Sequence, residues 1–195
     1  MRRMLIPVAI VPILLLAIAA PVAAAPPLKE SGTQQSLFSV STSCVGSFCT
    51  DTVLEAFNID PDTLLVCVNR YTYSIRTGQL RSQEGGCTET SPDALTISES
   101  FDVTLAETTV IFEECNRRGC TVTDSVTVSA DDSAVSPIFS ETSRGTFTDG
   151  TCTFRFRSES MFADVAGTMT IDGMVLEQQF GQASISSFTV TSRCA

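Results

Sequence analysis

Leu95-Thr96-Ile97-Ser98-Glu99-Ser100-Phe101-Asp102-Val103-Thr104-Leu105 alternates apolar and polar residues almost without a break. Side chains of an extended chain point to opposite faces in turn, so this pattern gives a strand with one buried and one wet face. On a helix the same residues would scatter around the cylinder. Val122, Val126, Val128 and Ala130 repeat the pattern against Thr121, Thr123, Ser125, Thr127 and Ser129. Further strands are expected near 37–43, 63–75, 79–84, 110–115 and 184–191. Thr52-x-x-Glu55 has capping-box form and allows one short helix at 53–58.

Two turns set hairpins between these strands. Asp149-Gly150 and Asp172-Gly173 suit the two-residue type I′ turn, which needs positive φ at its centre. Ile171 is then expected opposite Met174, Met169 opposite Leu176 and Val165 opposite Phe180. In the other hairpin, Thr148 faces Thr151, Phe147 faces Cys152 and Gly145 faces Phe154, with Phe156 on the same side. About ten short strands with at most one short helix can hide their faces only by stacking or closing sheets. Strands of unequal length with irregular loops favour stacking. The expected fold is an all-β, disulfide-stabilised antiparallel β-sandwich.

The eight cysteines and the absence of histidine bear on both compartment and chemistry. Arg2 and Arg3, the apolar run from Met4 through Ala20, and small residues at Val22 and Ala24 have the form of a signal peptide cut after Ala24. The expected organisation is a signal peptide at 1–24, a flexible leader at 25–36 and a single secreted β domain at 37–195. In an oxidising compartment, an even cysteine count without histidine reads as a bridge framework rather than zinc. Cys44-x4-Cys49 and Cys115-x4-Cys120 each contain a glycine and are expected to close locally, leaving Cys67, Cys87, Cys152 and Cys194 for the other bridges.

The chain carries 12 basic and 22 acidic side chains, a net charge of −10. Without Arg2 and Arg3, ten basic residues face twenty-two acidic ones, giving −12. That balance disfavours nucleic acid and anionic membranes as partners. Without histidine, neither a Ser-His-Asp apparatus nor histidine-bound metal can be built. Lys29 is the only lysine and falls in the leader, so no Ser-Lys dyad is expected. No carboxylate pair stands out, and the protein is read as a non-enzyme without cofactor. Asn58-x-Asp60-x-Asp62 alternates oxygen ligands but lacks the glycine and distal glutamate of a calcium loop, so no metal site is assigned. Tyr71 and Tyr73 alternate with Ile75 and are expected in the core.

The hairpin register that buries Phe147, Phe154 and Phe156 sends Arg144, Arg155 and Arg157 to the opposite face, with Arg144 across from Arg155. Like charges so placed repel. They require a compensating anion, either Glu141 or Glu159 nearby or an acidic ligand. Arg144, Arg155 and Arg157 are therefore the candidate ligand-binding residues. The expected function is a secreted, non-catalytic β-sandwich with a binding or structural role at the cell envelope or in the medium, with an acidic glycan or an extracellular protein as partner. Two alternatives are a carbohydrate-binding or carbohydrate-active protein, and an inhibitor or effector presenting the loop Asn116-Arg117-Arg118-Gly119.

Overall fold

A computed structural model describes residues 28–116 and 119–194; side chains are described outside 113–121. The described residues run through eleven strands: β1 (Leu28–Val45), β2 (Phe48–Asp60), β3 (Thr63–Ser74), β4 (Leu80–Thr90), β5 (Leu95–Ile97), β6 (Val103–Asn116), β7 (Gly119–Ala134), β8 (Phe139–Asp149), β9 (Cys152–Ile171), β10 (Met174–Glu177) and β11 (Phe180–Cys194). One 3₁₀ turn, Pro92–Ala94, is capped by Ser91. The signal peptide and the cut after Ala24 lie outside the described residues, as do Arg117 and Arg118 of the loop at 116–119.

All pairings are antiparallel, and the domain is all-β and disulfide-stapled as expected. The layers of the expected sandwich belong to one sheet wrapped on itself. Pairing runs β9-β11-β1-β2-β3-β4-β6 and returns through β7 to β9, which closes the circuit. Inside it lies one apolar core, including Leu54, Leu64, Val66, Val68, Phe101, Val103, Leu105, Val110, Val126, Val165 and Met169. The narrowest closure is at β4–β6, where one residue pair, Gly86 with Phe112, joins the strands. A Cβ on Gly86 would stand 2.1 Å from the Ile111 carbonyl oxygen, so only glycine permits this approach.

Several expectations require correction. Residues 53–58 are not helical; they lie within β2, paired with β1 and β3. Thr52, Leu54 and Ala56 alternate into the interior, and that period overrides the capping-box signal. Residues 28–36, expected in a flexible leader, form the first half of β1 and pair with β11. The stretch 95–105 is two strands folded on each other, with Leu95 opposite Leu105 and Ile97 opposite Val103. Its buried residues are those expected, but a turn made by Ser98, Ser100 and Asp102 interrupts it. Asp102 N donates to Ser98 Oγ at 2.9 Å, and Ser98 N to the Asp102 carbonyl at 2.9 Å. Phe101 adopts φ 61° there with its ring fully buried. Ring burial of about 2–3 kcal/mol offsets a left-handed cost of about 1–2 kcal/mol.

Ile171 faces Met174 and Met169 faces Leu176, with Asp172 and Gly173 both at positive φ, as a type I′ turn demands. Phe180 does not extend that hairpin: it pairs with Val40 in β1. The other hairpin is shifted by two residues. Gly150 alone has positive φ, Asp149 faces Cys152, and the loop is Gly150-Thr151, the type II′ pattern with glycine first. Phe147 therefore faces Phe154, and Gly145 faces Phe156. A shift by two preserves the face of every side chain.

Three bridges join directly opposed residues: Cys44–Cys49, Cys67–Cys87 and Cys152–Cys194. Backbone register also sets Cys115 opposite Cys120, whose side chains lie outside the described set. Such bridges are compatible with an oxidising compartment. Among the described residues, no helix is long and apolar enough to cross a membrane.

Candidate functional site

The wrapped sheet has an extension. β8, the first half of β9, the second half of β11 and the first half of β1 pair in that order beyond the closed part. Along β9 the apolar phase inverts at this boundary. Ala163, Val165, Met169 and Ile171 are buried and odd-numbered, whereas Phe154, Phe156 and Phe162 are even-numbered and half-buried. No register shift separates the two stretches in the β9–β11 ladder. The inward face of the closed part therefore continues into the extension as a polar face, and the aromatic rings lie on the outer one.

This corrects the expected burial of the hairpin phenylalanines. Phe147 is 52% exposed and stacks on Phe154 at 4.9 Å, and Phe139 stacks on Phe162 at 5.6 Å. Phe156 lies against Gly145, where a Cβ would meet its ring at 2.5 Å. Tyr71 and Tyr73 are likewise half-buried on the outer face, and the Tyr73 hydroxyl donates to Asp51 Oδ1 at 3.2 Å.

The polar face gathers the three sequence-predicted arginines. Arg144 pairs with Arg157, not Arg155, as the shifted register requires; Arg155 follows two residues along β9 on the same face. Sequence reasoning missed two further cations there. Arg193 sits opposite Thr153 and diagonal to Arg155, and Lys29 sits opposite Thr191, itself opposite Arg155. With strands about 4.8 Å apart and residues about 3.4 Å apart, the cations form an oblique band roughly 15–17 Å long. Lys29 and Arg193 escaped notice because each gains a cationic neighbour only through strand order, which no local spacing encodes.

Five of the chain's twelve basic residues thus share one face on which, among the described residues, Glu159 is the single carboxylate. Glu159 forms an ion pair with Arg157, both side chains being more than half exposed. Glu141, the other expected counter-ion, sits opposite Ser160 on the aromatic face. Among the described residues, Arg144, Arg155, Arg193 and Lys29 have no carboxylate within ion-pair distance. Hydroxyls fill the intervening positions: Thr142, Thr146, Thr153, Thr189 and Thr191. Two shallow depressions mark the surface. One is lined by Thr153, Arg155, Thr191 and Arg193, the other by residues including Ser31, Thr33, Arg157, Glu159 and Ser187.

The candidate calcium stretch is engaged otherwise. Asn58 Oδ1 accepts from Gln35 N of β1, and Asp60 Oδ1 from Asp62 N in the β2–β3 turn, each at 2.8 Å. Asp131 and Asp132 lie in β7, and Asp132 is buried. Among the described residues, no three metal-ligating side chains converge. The chain matches no protein-family profile, no curated protein sequence and no solved structure.

Proposed function

We propose that the protein is an exported, non-catalytic binding module whose polar extension face holds a linear polyanion, such as a uronic-acid or sulfated glycan. One observation carries this reading: five cations and one carboxylate share a face of a chain whose net charge is −10. Holding like charges together on adjacent strands costs free energy that a bound polyanion recovers. Threonine hydroxyls between the cations can donate to and accept from sugar hydroxyls. The flat, open form of the face suits a polymer lying across strands better than a small substrate needing enclosure. Export follows from the signal-peptide pattern, and the bridges accord with it.

The test is binding of the secreted protein to an array of neutral, uronic-acid and sulfated glycans at several salt concentrations. Acidic glycans should bind selectively, and affinity should fall steeply with salt because the charges are exposed. The Arg155→Glu/Arg157→Glu variant should lose binding while remaining folded, since both side chains are exposed. Binding equal to wild type in that variant would overturn the reading. N-terminal sequencing should return Ala25; an intact Met1 would overturn processing.

A further inference from the structure

β8 forms the margin of the extension: among the described residues, it pairs with β9 on one side and with no strand on the other. An edge strand presents a row of unpaired backbone N–H and C=O groups, and proteins usually blunt such edges with charged side chains, proline, bulges or short length. This edge carries charges at Glu141, Arg144 and Asp149 but is long and has no proline and no bulge. Its eleven residues include no proline or lysine, and its register with β9 runs unbroken from Phe139 to Asp149. Every residue except Gly145 is exposed.

The two rims of the edge differ in chemistry. The outer rim carries Phe139 and Phe147, with the Phe156 ring over Gly145 between them. The inner rim carries Arg144 flanked by Thr142 and Thr146, with Arg157 directly behind it. A strand laid along this edge would place alternate side chains against the rings and the others beside Arg144. The geometry points to β8 as a strand-addition site for an extended segment of another protein in which apolar and acidic residues alternate. Backbone hydrogen bonds supply affinity, and the two rims select the pattern.

Charge complementarity disfavours a second copy as occupant. A two-fold β8–β8 pairing would bring two Arg144 side chains onto one face, and the carboxylates of β8, Glu141 and Asp149, both lie on the other. The inference goes beyond glycan binding: it requires the backbone and aromatic rim of β8, which the polyanion face does not use.

The experiment uses the secreted protein and a capped, fluorescent peptide of alternating valine and glutamate. Controls are a valine–lysine peptide and a valine–glutamate peptide methylated at alternate backbone nitrogens. The valine–glutamate peptide should bind and slow amide exchange within 139–149, whereas the methylated form should bind about tenfold more weakly through lost ladder hydrogen bonds. Arg144→Glu should weaken the acidic peptide about fivefold and favour the lysine peptide instead. Phe147→Ser should weaken the peptide but leave glycan binding unchanged, which separates this inference from the polyanion reading. Equal binding of the methylated peptide, or unchanged exchange in β8, would overturn it. A dimer held through β8 without peptide would also overturn it, by assigning the edge to a second copy.

Discussion

Gln178 donates through Nε2 to Asp132 Oδ1, and the oxygens left over on the two groups, Asp132 Oδ2 and Gln178 Oε1, are buried without a partner. A proton on Asp132 would remove the cost of burying its charge there. Burial, first, and then the neighbouring Asp131 raise the Asp132 carboxyl above its usual range, outweighing the lowering by Gln178 and Ser39. An acid whose folded pKa is raised lends stability that is full below its unfolded value and is lost as pH climbs through the folded one. Wild type should therefore lose stability relative to Asp132→Asn as pH rises from the ordinary aspartate range, by at most about 1.4 kcal/mol per pH unit, the slope for one proton. Urea unfolding of both proteins from pH 4 to 8 checks this, and parallel pH profiles would contradict it.

The charge pattern makes a prediction at Glu159. As the lone carboxylate on the cationic face among the described residues, it would compete with an anionic ligand for Arg157. Glu159→Gln should tighten polyanion binding and change stability by less than about 1 kcal/mol, as exposed pairs do. Glu141→Gln, on the aromatic face, should alter neither. Titrating both variants with one sulfated oligosaccharide is sufficient to decide.

Closure of the sheet makes another prediction. Gly86→Ala would drive a methyl into the Ile111 carbonyl at the only paired position of β4 and β6. The substitution should cost about 1–3 kcal/mol, the usual range for overpacking. Amide exchange should accelerate first along β4 and the facing part of β6. Gly150→Ala is the contrasting case: it meets no atom within 4 Å and is penalised only through its positive φ. A loss at Gly86 no larger than at Gly150 would count against a close-packed seam.

The bridges give a further expectation. Peptide mapping without reductant should return Cys44–Cys49, Cys67–Cys87 and Cys152–Cys194. Replacing Cys152 and Cys194 together should cost up to about 4 kcal/mol by the loop-closure estimate for that separation. It should also weaken polyanion binding, because Arg193 would lose its anchorage beside Arg155. Mapping that joins either cysteine to a different partner would contradict the pairing of β9 with β11.

Much of this fold was legible in period two. The buried set of 95–105 and the joint placement of Arg144, Arg155 and Arg157 followed from alternation alone, and alternation survives a register error of two. What alternation does not carry is which side of a strand faces the core. The even-numbered phenylalanines of β9 look like core residues, yet Ala163 and Val165 carry the inward face. The turn at 98–102 was hidden because it contains neither glycine nor proline and is built from Ser98, Ser100 and Asp102 side chains. Strand order brings Lys29 to the site through pairing with Thr191, and Arg193 through pairing with Thr153, both distant in the chain.

The uninterrupted passage of β9 through both environments has a mechanical consequence. Tension applied along the strand would load its long ladder with β11, from Cys152 to Asp164, in shear. In shear, all rungs bear the load at once, whereas peeling β8 from the margin would break them one after another. A pull along β9 would thus meet the stiffest direction of the sheet, with its force carried directly into the packed interior.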